Sequence, residues 1–235
     1  MELIDYYRWC LRQLELKQWE AAEGRLLWLR HQLGPTDQDI ADALAYALLM
    51  QGAYEQCIAV LTPVLYSPKR SFWIHHKYAD AKRGLHQLRD AVKHYQQAVL
   101  DGSTSHLTIR NLLEVLFALD PREAIEELGR WQEPLQDEHI QGVTSAAMAV
   151  PGLDIARWLQ ERGLANSAIQ RRLIEADVLT LNMRGLEEIS ASAKAHAMSE
   201  IEHHDEHQDG EQQRWLDAIH HRLKRLAVLV DQPSD

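Results

Sequence analysis

Residues 38–68 read QDIADALAYALLMQGAYEQCIAVLTPVLYSP, and their spacing decides the fold. Ile40, Leu44, Ala47 and Leu48 recur at three- and four-residue steps, which makes one face of a helix apolar. Gln51-Gly52-Ala53 interrupts the pattern, and Tyr54, Cys57, Ile58 and Leu61 resume it. Gly34-Pro35 stops whatever precedes, and Thr36 or Asp37 can cap the first helix. Pro63 removes a backbone donor within the second helix and predicts a kink or an early end. Ser67-Pro68 closes a unit of two short helices joined by a tight turn.

The same unit extends in both directions. Leu3, Tyr6, Tyr7, Cys10 and Leu14 mark one helix face upstream, and Trp19, Ala22, Leu26 and Leu29 mark a second. A small residue in the second helix of each pair sets the register: Ala22, Cys57, Ala91 and Ala124, at steps of 35, 34 and 33 residues. Four residues past each marker stands a bulky side chain, Leu26, Leu61, Tyr95 and Leu128; seven past stand Leu29, Val64, Ala98 and Trp131. The small side chain lets two helices approach closely, while the residues one and two turns on fill the groove toward the next pair. No stretch alternates with period two for long enough to propose a sheet.

This arrangement resembles the tetratricopeptide repeat family, whose unit is an antiparallel helix pair. About four degenerate units cover residues 3–134. The unit Gln38 to Pro68 has Leu44, Ala45, Gly52, Tyr54, Ile58 and Leu61 at matching places. Cys57 stands for the usual marker alanine, Trp9-Cys10 replaces a Leu-Gly pair, and His86 occupies the turn-glycine place with Gly84 two residues early. The resemblance implies an all-α fold, an α-α superhelix, with the first helices of successive pairs lining a concave face. Carried over by register, that face presents Tyr7 and Leu11, then Asp42 and Tyr46, then His76, Asp80 and Arg83, then Ile109 and Leu113. It further implies a non-catalytic adaptor or scaffold that grips a protein or peptide segment to organise an assembly. Only Lys77 and Arg83 come near the family's carboxylate-gripping places, so a mixed aromatic and polar groove suits a helix or an extended peptide.

Ala156 follows Ala124 by 32 residues, so 135–165 reads as a degenerate fifth unit that ends a repeat domain over 1–165. Residues 166–235 then form a C-terminal helical extension. Leu179, Met183, Leu186, Ile189, Ala193, Ala197 and Ile201 mark one long helix; Trp215, Leu216, Ile219, Leu223, Leu226 and Val230 mark a terminal one. A solenoid end needs its apolar face covered, which makes this extension a cap or a surface for partner- or self-association.

Between those helices, 199–213 holds six acids, three histidines and no Lys or Arg. That composition describes a solvated linker. His203 and His207, four apart with Asp205 and Glu206 between them, are the candidate metal ligands, for zinc or nickel. They support an alternative reading: an accessory or regulatory subunit of an enzyme system with a metal- or pH-responsive tail. The cluster His220-His221-Arg222-Leu223-Lys224-Arg225 reads as favourable charge near a helix C-terminus, with an anionic partner or membrane surface as the alternative.

Composition narrows the classes further. The chain has 235 residues and a formal charge of −10, from 35 acids against 25 bases, which disfavours nucleic acid as a partner. No apolar run approaches the roughly 20 residues that span a bilayer, and the acidic start lacks a secretory pattern, so a cytoplasmic protein is expected. Cys10 and Cys57, the only cysteines, read as buried thiols. No nucleophile elbow, phosphate loop or zinc-protease helix motif is present, so neither catalysis nor a cofactor is expected.

Overall fold

The computed structural model describes residues 2–184, apart from 69, 104, 132–134, 178 and 181–183. The chain divides into two compact units, residues 1–176 and 177–235. Nearly all of the second lies outside the described residues, and with it His203, His207, segment 199–213, the basic cluster 220–225 and most of both expected tail helices.

In the first unit the helices pair in sequence order. Helix α1 (Leu3–Glu15) packs on α2 (Trp19–Leu33), α3 (Gln38–Met50) on α4 (Tyr54–Leu61), and α5 (Phe72–Gly84) on α6 (Leu88–Leu100). Helix α7 (His106–Leu119) packs on α8 (Pro121–Gly129), and α9 (Asp137–Ala149) on α10 (Asp154–Glu161). First helices are also neighbours, α1 with α3, α3 with α5 and α7 with α9. The described residues form an all-α solenoid of antiparallel, tetratricopeptide-like pairs, and none of them is in a strand.

The marker residues explain the close pairing. Ala22, Cys57, Ala91, Ala124 and Ala156 are all fully buried, as are Leu26, Leu61 and Tyr95. Burying each such leucine contributes about 1.5–3 kcal/mol. Both thiols are free and buried, and burial pushes the Cys57 thiol up to about 12. Helix α4 ends at Leu61 and passes into a single 3₁₀ turn, Thr62–Val64, because Pro63 cannot donate the next helical bond.

Helices α1, α3 and α5 close alike. Lys17, Gly52 and His86 have φ of 58°, 73° and 58°. In each case the following N–H reaches back five residues, Gln18 to Gln13, Ala53 to Leu48 and Gln87 to Lys82, each at 2.9 Å. This is the Schellman closure. Glycine adopts it freely, whereas at Lys17 and His86 the left-handed backbone costs about 1–2 kcal/mol.

Helix α5 lies where two apolar cores meet. Ile74 and Ala81 belong to the core of the first two pairs, Ala79 to that of the later ones. Beyond the fifth pair a helix over 167–177 continues the packing, burying Ile169 and Leu173 in the second core. Arg172 donates to the carbonyls of Ala147, Val150, Pro151 and Gly152, which satisfies the open C-terminus of α9.

Candidate functional site

The first helices of the first three pairs, with the start of α7, line a groove of about 970 Å³. Tyr7 and Leu11 come from α1, Asp42 and Tyr46 from α3, and His76, Asp80 and Arg83 from α5. These are seven of the nine residues that register placed on a concave face. The groove further contains Lys77, the other basic residue near the family's carboxylate-gripping places, and Met50, Tyr54, Trp73 and Leu107, which register did not select. Four large apolar side chains in it remain open to solvent: Leu11 (38% exposed), Tyr46 (38%), Met50 (49%) and Leu107 (41%).

Ile109 and Leu113 do not reach the groove; both are fully buried. The expectation that they present a binding surface is corrected here, and the cause is α9. Gly142 of α9 carries no Cβ, and one built there would overlap the Ile109 side chain and the His106 carbonyl. The fifth pair therefore closes onto α7 and covers the face that carries Ile109 and Leu113.

Charge in the groove is mostly matched. Lys77 Nζ contacts Asp42 Oδ1 at 2.6 Å and lies 5.9 Å and 5.6 Å from the ring centroids of Tyr46 and Trp73. An ammonium between a carboxylate and two ring faces is held by ion pairing and cation–π attraction together. Arg83 bridges Glu114 at 3.6 Å and Asp80 at 3.9 Å. The Tyr7 hydroxyl donates to the Asp39 carbonyl at 3.3 Å. Burial, followed by the charges of Asp39, Asp42 and Asp37, pushes the Tyr7 phenol up to about 12.

Under the α5 side of the groove runs a polar seam. Asp80 accepts from the Tyr95 hydroxyl, from Asn111 Nδ2 at 3.0 Å and from His76 Nε2 at 3.2 Å. His76 Nδ1 lies 2.9 Å from Thr108 Oγ1, which lies 2.9 Å from Ser103 Oγ. Burial alone would raise the Asp80 carboxyl, but the hydrogen bonds and charge from His76, Tyr95 and Arg83 outweigh it and hold it below its ordinary value. The same burial and the Asp80 charge push the Tyr95 phenol up. Thr108 and Ser103 are buried, so this chain of contacts fixes α5, α6 and α7 against one another. Asn111, which sequence reasoning missed, completes it.

Two further imidazoles pair nearby. His75 Nδ1 and His94 Nδ1 are 2.9 Å apart, with rings nearly parallel. Burial, then the neighbouring His75, lowers His94 to about 4; burial, then Arg70, lowers His75. Among the described residues no group of three or more His, Cys, Asp or Glu is arranged to hold a metal, and no helix is long and apolar enough to cross a membrane.

No family model matches this sequence, and no curated protein matches it. Among solved structures it is similar to MamA 41-end from Desulfovibrio magneticus RS-1, at 17% identity and a TM-score of 0.49, covering 55% of this chain and 73% of that one. A MamA RS-1 ArsTM double mutant gives the same identity and TM-score, with 55% and 72% covered.

Proposed function

We propose that the chain is a non-catalytic adaptor that holds a polypeptide segment in the groove of α1, α3, α5 and α7, and so organises an assembly. The observation that carries this reading is the set of exposed apolar side chains, Leu11, Tyr46, Met50 and Leu107, gathered from three of those helices into one groove. Apolar groups left open in a concavity mark recognition surfaces more strongly than the same groups scattered singly. Packed helices lie about 8–10 Å apart, so α1, α3 and α5, which contact in turn, span about 16–20 Å, the length of about three turns of a bound helix. The polar seam keeps the third and fourth pairs in fixed register, which preserves the groove's shape before any partner arrives.

The test compares partner capture by wild type, by Leu11→Ala and Tyr46→Ala, and by Glu126→Ala on the exposed face of α8. Loss with the groove variants alone, at unchanged helicity, supports the reading. Recovery that is equal across all variants overturns it.

A further inference from the structure

We infer that two copies of the chain associate through the outward faces of their α2 helices, packed antiparallel. This goes beyond the adaptor reading and does not rest on it. One face of α2 carries Ala22, Leu26 and Leu29, all buried, and the helix packs on α1 and α3. Its opposite face carries Ala21, Gly24, Leu27 and Trp28, all exposed. Leu27 is 46% exposed, and Trp28 is 44% exposed although its ring leans on Tyr6 with centroids 5.1 Å apart. A surface helix ordinarily keeps polar residues on its outer side.

The later pairs show that the repeat itself does not call for this. In the register set by the small markers, Ala21 corresponds to Gln56, Asp90 and Glu123. Leu27-Trp28 corresponds to Thr62-Pro63, Gln96-Gln97 and Gly129-Arg130. None of those places holds a large apolar side chain, yet α4, α6 and α8 pack in their pairs as α2 does. Among these four helices the apolar outer face belongs to α2 alone, and contiguous exposed apolar groups mark an association surface.

The occupant that fits is a second copy, because the face is complementary to itself. A Cβ at Gly24 would meet nothing, so the helix surface is hollow there, beside the projecting Leu27. Glu20 in the first turn and His31 in the last are both exposed along the same stripe. The antiparallel register that sets Glu20 of one copy opposite His31 of the other also sets Leu27 opposite Gly24, because both pairs are centred between Arg25 and Leu26. Charge and shape therefore select one arrangement, and each contact occurs twice, as two-fold symmetry requires. Helix α2 has 15 residues and is about 22 Å long, so one such helix pair falls at the low end of specific interfaces. Association is weak, with a dissociation constant on the order of 10–100 μM.

Analytical ultracentrifugation of the full chain, over concentrations bracketing that range, tests the inference. The expected result is a mass that rises from one chain toward two. Leu27→Lys should raise the dissociation constant about tenfold or more. Gly24→Gln separates association from folding. At dilutions where the chain is monomeric, replacing a helical glycine should raise the melting temperature, while the added side chain fills the hollow and weakens the dimer. Glu20→Lys and His31→Glu should each weaken it about twofold to fivefold, and the double variant should recover. A chain that stays monomeric throughout overturns the inference. So does a dimer unaffected by Leu27→Lys and Gly24→Gln, which would form through another surface. A dimer lost in those two variants, with no recovery in the double charge variant, overturns the antiparallel arrangement.

Discussion

Gly84, in the last turn of α5, lies directly beneath the ring of Tyr54 from the preceding pair. A Cβ at Gly84 would fall inside that ring's van der Waals envelope. The absent side chain thus sets how closely the second and third pairs stack.

Gly84→Ala should therefore destabilise the fold. Overpacking costs about 1–3 kcal/mol, offset by about 0.5–1 kcal/mol for replacing a helical glycine, so a net loss near 1 kcal/mol is expected from urea denaturation. In a Tyr54→Ala background the clash disappears and the same substitution should become neutral or stabilising. A loss of equal size in both backgrounds would place the cause elsewhere.

His86 carries the complementary prediction. Its φ of 58° belongs to the region glycine prefers, so His86→Gly should raise the denaturation midpoint by the equivalent of about 1 kcal/mol. A lower midpoint would mean that the imidazole makes a contact worth more than the strain.

The pair of Gly84 and His86 shows why part of the sequence misleads. A glycine two residues before the expected turn resembles a shifted repeat, yet the turn keeps its register and a histidine bears the strain, while the glycine serves a contact across pairs. The small-residue markers, by contrast, were fully legible, because close packing leaves no choice of side-chain size at Ala22, Ala91 and Ala124. Seven groove residues follow from the tetratricopeptide resemblance carried over by register. Ile109 and Leu113 do not, since register describes a regular array and cannot show that Gly142 admits the next pair onto α7. Trp73 and Met50 carry no such signal, because a single groove-lining side chain has no period. Asn111 had no signal beyond its side-chain amide.

Acid should weaken the third pair. In the folded chain His94 is lowered to about 4 and His75 is also lowered, from an ordinary value of 6.5. As pH falls the unfolded chain takes up protons first, so the stability is complete above about 6.5 and declines through the window down to about 4. Urea midpoints at several pH values should show that slope, and His94→Gln should flatten it. A slope that is unchanged in His94→Gln would clear the imidazole pair of responsibility.

Arg172 should matter for stability and not for recognition. It donates to four carbonyls at the end of α9, and Arg172→Ala leaves partly buried acceptors unpaired at a cost of about 1–3 kcal/mol. Thermal melting should report the loss while partner capture stays at the wild-type level. Reduced capture at a temperature where the variant is folded would link the fifth pair to the groove.

Site-specific photo-crosslinking tests the central claim most directly. A photoreactive side chain at Tyr46 or Met50 on α3 should capture a polypeptide partner, and the same group at Glu55 on the exposed face of α4 should not. Capture from Glu55 with none from Tyr46 or Met50 would contradict the account, because recognition would then lie on the second helices and not in the groove.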